Sequence, residues 1–269
     1  MPTLVDAFYR CHSLRWDGTR GEDTAVANAE TAMEILGDRT LVEEISSAVL
    51  QDYVLKLKEK GLSPSTINRK LAALKTILRV AQIDGHIPAV PYVKMEREPE
   101  PRSRVLTQQE EETLFSLLPE PHANLARFLV DTGCRVKEAL RLEWVDVDLD
   151  QRYVVLKKTK GGKPRAIPLT ERATQAITTP GGAGPFTEIS QSVFGHAWSR
   201  ARKEMGLEGD KEFVPHALRH TCASRLKRKG SETQVVQEWL GHSNMQTTLR
   251  YCHLDETSLL KARDLLEVG

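Results

Sequence analysis

The stretch Val214–Tyr251, VPHALRHTCASRLKRKGSETQVVQEWLGHSNMQTTLRY, carries the residues that decide the fold. It reads as two helices, His216–Arg228 and Thr233–Trp239. The second bears an apolar stripe of Val235, Val236, Trp239 and Leu240 that belongs in a core. Chemically capable residues punctuate both. His216-Ala217-Leu218-Arg219-His220 opens the first helix, Leu240-Gly241-His242 follows the second, and Tyr251 stands nine residues after His242. His216 and His220 are four apart, a spacing that can hold zinc on a helix. The glutamate of an HExxH pattern is missing, because Ala217 stands there, and no third ligand is evident.

Upstream, the pattern is mixed. Thr107-Gln108-Gln109-Glu110 forms a capping box that opens a helix. A helix from about Ala123 to Asp131 stops at Gly133, and another is expected from Val136 to Leu142. Tyr153–Leu156 and Arg165–Pro168 read as two strands joined by a turn around Gly161-Gly162. A Gly/Pro loop spans Thr179–Pro185, and Ser192–Met205 is helical again. After Tyr251 an amphipathic segment runs from Asp255 to Val268.

Further out, Pro91, Pro99 and Pro101 punctuate a charged stretch with little to bury, which reads as a linker over residues 94–104. Before it, residues 1–93 read as helices only. Thr24–Leu36 and Val49–Leu57 are periodic, and Ser63-Pro64 places a cap before a first-turn proline. Ile67, Leu71, Leu74, Ile77, Leu78 and Ala81 then line one stripe, with Arg69, Lys70, Lys75 and Arg79 on the other faces. Such a face suits phosphate, and would equally suit plain solvent. The expected architecture is mainly α with a small β-hairpin or sheet: an all-α N-terminal domain, then an α+β domain over residues 105–269.

Bulk properties are permissive. The 269 residues are 40% hydrophobic and 28% charged, as in a globular protein with a real core. No run of about 18 apolar residues exists. Cys11, Cys134, Cys222 and Cys252 have no CxxC spacing, which argues against a zinc site or disulfide framework and points to a reducing cytoplasm. The net charge of +1 hides local clusters: five basic residues lie between Lys157 and Arg165, and Arg225, Lys227, Arg228 and Lys229 form another.

Four elements in order, Thr132-Gly133-Cys134-Arg135-Val136-Lys137-Glu138, Lys160, HALRH and LGH with its later tyrosine, closely resemble the tyrosine recombinase (phage integrase) family. The resemblance spans the chain from about Arg104 onward. The N-terminal helices look, more weakly, like that family's core-binding domain. The chemistry explains the residue types. Arginine forks can hold non-bridging phosphate oxygens, and a tyrosine can form a covalent phosphodiester that conserves the bond for rejoining.

The resemblance implies that Arg135 and Arg219 hold the phosphate and that Tyr251 attacks it. It makes Lys160 the general acid, has His216 and His242 assist, and gives Glu138 and His220 supporting roles. DNA contacts are expected from Arg69, Lys70, Lys75, Arg79, Lys163 and Arg165. It implies no metal and no other cofactor. The partners would be double-stranded core recombination sites, three further copies completing a tetramer on DNA, and accessory DNA-bending proteins, with no membrane. The C-terminal segment of this family often docks on a neighbouring protomer, and folding back on its own domain is the alternative.

Lys137 stands where the family usually has a small residue, and Cys252 follows the tyrosine in place of threonine or alanine. The helices begin almost at Met1, so either a compact recombinase or a shortened chain without an arm-site domain is expected. Integration and excision of mobile DNA is the expected role. Xer-type dimer resolution, a non-catalytic DNA-binding relative and a topoisomerase are the alternatives.

Overall fold

The computed structural model describes residues 1–99, 103–157, 164–177 and 182–251. The chain divides into two units, Met1–Pro101 and Arg102–Gly269.

The first unit is helical. Thr3 caps α1 (Leu4–Cys11) in a capping box with Asp6, and Leu4, Ala7, Phe8 and Cys11 face inward. A wider-wound turn follows, burying Trp16. Next come α2 (Glu22–Leu36), α3 (Ser47–Glu59) and α4 (Pro64–Ile83), with Ser46 and Ser63 capping α3 and α4. Leu50, Tyr53, Leu57, Ile67, Leu71, Leu74, Ile77 and Leu78 form the centre of the core. The Pro-rich stretch does not leave this unit at residue 94. Val93 is buried, and the Asn68 amide accepts from the Glu96 N–H at 2.8 Å and donates to the Glu96 carbonyl at 2.9 Å. That amide also donates to the Glu98 carboxylate at 2.7 Å, so α4 supplies the hydrogen bonds an extended strand would otherwise lack.

The basic residues of α4 do not share one face. At about 100° per residue, Lys70 projects between Leu74 and Ile77, inside the buried arc. Its Nζ donates to Thr31 Oγ1 at 2.7 Å. Arg69 and Arg79 are exposed, and Lys75 is half-buried.

The second unit opens with α5 (Gln108–Leu117), where Thr107 and Glu110 form the expected capping box. α6 (Glu120–Thr132) follows, then α7 (Val136–Ala139), a single turn that stops short of the expected Leu142. A three-stranded antiparallel sheet comes next: β1 (Val147–Asp148), β2 (Tyr153–Leu156) and β3 (Arg165–Pro168), in that order. Val154 pairs with Ile167, and Leu156 with Arg165. The remaining elements are α8 (Glu171–Ala176), α9 (Gln191–Glu204), α10 (His216–Arg228), α11 (Thr233–Leu240) and α12 (Gln246–Leu249). Leu114, Leu125, Phe128, Val154, Ile167, Phe194, Trp198, Phe213 and Leu218 fill the core beneath them. The chain is mainly α with one small sheet, as expected. Among the described residues no helix is long and apolar enough to cross a membrane.

Candidate active site

Three helix ends converge in the second unit, and one buried arginine joins two of them to the third. α6 ends at Gly133 (φ 63°) and α11 ends at Gly241 (φ 66°), both left-handed. A side chain is disfavoured at both, since a Cβ would lie 2.7 Å from Leu240 Cδ2 at Gly133 and 2.7 Å from Arg165 Nη1 at Gly241. Arg219, from the first turns of α10, is only 2% exposed. It donates from Nη1 to the Gly133 carbonyl at 2.7 Å and from Nη2 to the Leu240 carbonyl at 2.6 Å. Those carbonyls precede Cys134-Arg135 and Gly241-His242. Trp239 adds a second tie, its indole N–H donating to the Thr132 carbonyl at 2.8 Å. Burial, then the neighbouring Arg135, lower the Arg219 pKa to about 10, so it stays charged at neutral pH.

Arg135 sits at the N-cap of α7 with its side chain 42% exposed. Glu138, one turn on, accepts from Arg135 Nη1 at 2.8 Å and from the Arg135 backbone N–H at 2.9 Å. Burial opposes ionisation of this carboxyl. Hydrogen bonds from Arg165 and Arg135 outweigh that and hold its pKa at about 2.

The Tyr251 hydroxyl is hydrogen-bonded to Nδ1 of His220, and the two rings lie 5.7 Å apart. Burial raises the tyrosine pKa, with Arg250 and Arg219 pulling the other way. Burial first, then His216, Arg250 and Arg219, lower His220 to about 4. The His216 ring stands edge-on to His220 at 4.8 Å and reaches solvent. His242 Nδ1 lies 2.8 Å from Thr248 Oγ1, and burial followed by Arg219 and Arg135 depresses its pKa to about 3. Both His220 and His242 are therefore neutral at pH 7.

Arg135, Glu138, His216, Arg219, His220, His242 and Tyr251 thus lie on connected elements around α10. Lys160, Lys163 and the segment Asp255–Val268 lie outside the described residues. Arg165, expected as a DNA contact, is instead turned inward: it donates to Glu138 at 2.8 Å and to the Trp239 carbonyl at 3.0 Å. No sequence signal separates an inward arginine at a strand start from an outward one. Among the described residues no group of three His, Cys, Asp or Glu side chains is placed to hold a metal ion. The chemistry this geometry offers is anion binding beside a neutral base and a protonated phenol.

Comparison with known proteins gives the same direction. The Phage integrase family matches residues 104–258. The chain is 30% identical over 240 residues to the tyrosine recombinase XerC of Xanthomonas campestris pv. campestris (strain B100), covering 83% of this chain and 74% of that protein. In fold it is similar to the Tn1549 transposon integrase solved in complex with a circular intermediate DNA. The TM-score there is 0.83 at 22% identity, over 99% of this chain and 100% of that one. A lambda integrase dimer bound to a COC′ core site gives 0.78 at 20% identity, over 91% and 95%.

Proposed function

The chain belongs to the phage integrase family of tyrosine recombinases, enzymes that cleave and rejoin DNA, and on that premise we propose how its own residues do so. The observation that carries the proposal is the hydrogen bond between Tyr251 and His220, one residue from Arg219. Arg135 and Arg219 hold the non-bridging oxygens of the scissile phosphate, where charge grows during reaction. The Tyr251 oxygen attacks phosphorus and its proton passes to His220 Nδ1, the ring nitrogen already hydrogen-bonded to that hydroxyl. The bond from phosphorus to the 5′ oxygen breaks as the phosphotyrosine bond forms, and Lys160 protonates the departing oxygen. Rejoining runs the same steps backward. His242 and His216 assist at the phosphate, and Glu138 fixes Arg135.

The biological role proposed is integration and excision of mobile DNA such as a phage, by a tetramer on double-stranded core sites, with accessory DNA-bending proteins, in the cytoplasm. Exposed Arg69 and Arg79, with Lys75, are the N-terminal candidates for phosphate contacts. Xer-type dimer resolution is the second reading, supported by the likeness in sequence to XerC. Sequencing the DNA that becomes covalently attached to the protein in its own host separates the two. Junctions at the ends of a mobile element support integration, and one shared chromosomal or plasmid site supports dimer resolution.

A further inference from the structure

Arg165 opens β3, with its side chain only 11% exposed. Its Nη2 donates to Glu138 Oε2 at 2.8 Å, Nη1 lies 3.5 Å from Oε1 of the same carboxylate, and Nε donates to the Trp239 carbonyl at 3.0 Å. Gly241 presses against the same guanidinium, so that a Cβ there would come within 2.7 Å of Nη1. One planar group, anchored at the start of β3, therefore touches both the carboxylate that holds Arg135 and the helix end that leads to His242. Arginine's rigid fork can serve a carboxylate and a carbonyl at once, which a lysine ammonium on a flexible stem does poorly.

We propose that Arg165 is a positioning residue for DNA cleavage, setting the Arg135 guanidinium through Glu138 and the His242 loop through the Trp239 carbonyl, without itself contacting DNA. The inference rests on the reading of Arg135 and His242 as groups at the scissile phosphate.

Removing Arg165 has a consequence that loss of packing alone does not. Glu138 is faced by Arg135 from its own turn, by Arg165 from β3, by Arg219 from α10, and by the Cys134 thiol. Without Arg165 this buried carboxyl loses its largest favourable hydrogen bond and its pKa climbs. Once protonated, Glu138 no longer holds Arg135 as an ion pair. Cleavage by an Arg165 variant therefore gains an acid limb from Glu138, with rate rising as pH rises, in addition to any that the histidines give the wild type.

The test is single-turnover cleavage of a nicked half-site between pH 5 and 8, alongside half-site affinity as a function of salt. The proteins are the wild type, Arg165→Gln, Arg165→Lys, Glu138→Gln, the Arg165→Gln/Glu138→Gln double variant and Arg135→Ala. Arg165→Gln is expected to cleave roughly 10- to 100-fold more slowly, with unchanged affinity and salt slope. Its added acid limb should vanish in the double variant, which should be no slower than the slower single. Arg165→Lys keeps the charge in the fold and should show the same limb in weaker form, so it decides the question if the glutamine variant does not fold. Weakened binding with a flatter salt slope makes Arg165 a phosphate contact and overturns the proposal. So does wild-type cleavage with an unchanged pH profile. If Arg135→Ala itself cleaves normally, the reading of the site fails first; if Arg135→Ala is inert and Arg165→Gln is normal, this inference alone fails.

Discussion

His220 and Tyr251, 31 residues apart in sequence, are joined by a hydrogen bond between ring nitrogen Nδ1 and hydroxyl within a single chain. The proposed nucleophile and its proposed proton acceptor therefore meet within one chain. Because burial lowers the histidine to about 4 and raises the tyrosine, the proton rests on oxygen until a phosphate arrives.

Replacing His220 with Phe, which keeps the ring and removes the acceptor, should slow cleavage roughly 10²-fold or more while half-site binding stays intact. A gel-shift titration beside a single-turnover cleavage course checks both. Wild-type rates from His220→Phe would leave His216 or water as the acceptor.

Arg219 and Arg135 should part company in stability. Arg219→Ala leaves the Gly133 and Leu240 carbonyls without their buried donor, at about 1–3 kcal/mol for each unsatisfied group. Arg135 is partly exposed, and its loss should cost little stability while still crippling cleavage. Urea unfolding of both variants at one pH makes the comparison. Equal stability losses would contradict the anchoring role given to Arg219.

Gly133→Ala should destabilise the chain by more than about 1 kcal/mol, because a left-handed backbone and a 2.7 Å approach to Leu240 Cδ2 both oppose the methyl. Gly18→Ala is the control, with a similar φ and no neighbour within reach. The difference between the two melting temperatures isolates the crowding. No difference would mean that Leu240 moves aside freely.

Much of the fold is legible in the sequence. Ser63-Pro64 and Thr107–Glu110 announced their helices, because caps are local chemistry. The bounds of α1 are not legible: at eight residues its apolar positions are too few for periodicity to stand out, although Thr3 and Asp6 do form a capping box. β1 is two residues long, and only its pairing with β2 defines it. Glu138 beside Arg135 was readable from a three-residue spacing. The inward turn of Arg165 and of Lys70 was not, since a basic side chain looks the same in sequence whichever way its donors point. The pairing of His220 with Tyr251 depends on where α12 brings the chain back, which no local pattern encodes.

Stability should fall on mild acidification. An unfolded histidine titrates near 6.5, while folded His220 and His242 resist protonation down to about 4 and 3. Below about pH 6.5 the unfolded chain takes up protons that the folded chain refuses, so stability is lost as pH drops through that window. Above pH 7 these rings contribute no slope. Urea midpoints at pH 7.5, 6 and 5 should decline in the wild type and less steeply in a His220→Gln/His242→Gln variant. Parallel declines would place the effect on other groups.

The central claim is that Tyr251 becomes covalently joined to DNA. Incubating the protein with a nicked half-site that traps cleavage, in the presence of a chelator, should yield a protein–DNA adduct. Its digestion should leave a nucleotide-modified peptide containing Tyr251. Tyr251→Phe should bind the same half-site with wild-type affinity and form no adduct. An adduct that persists in Tyr251→Phe, or a modified peptide lacking residue 251, would contradict the account.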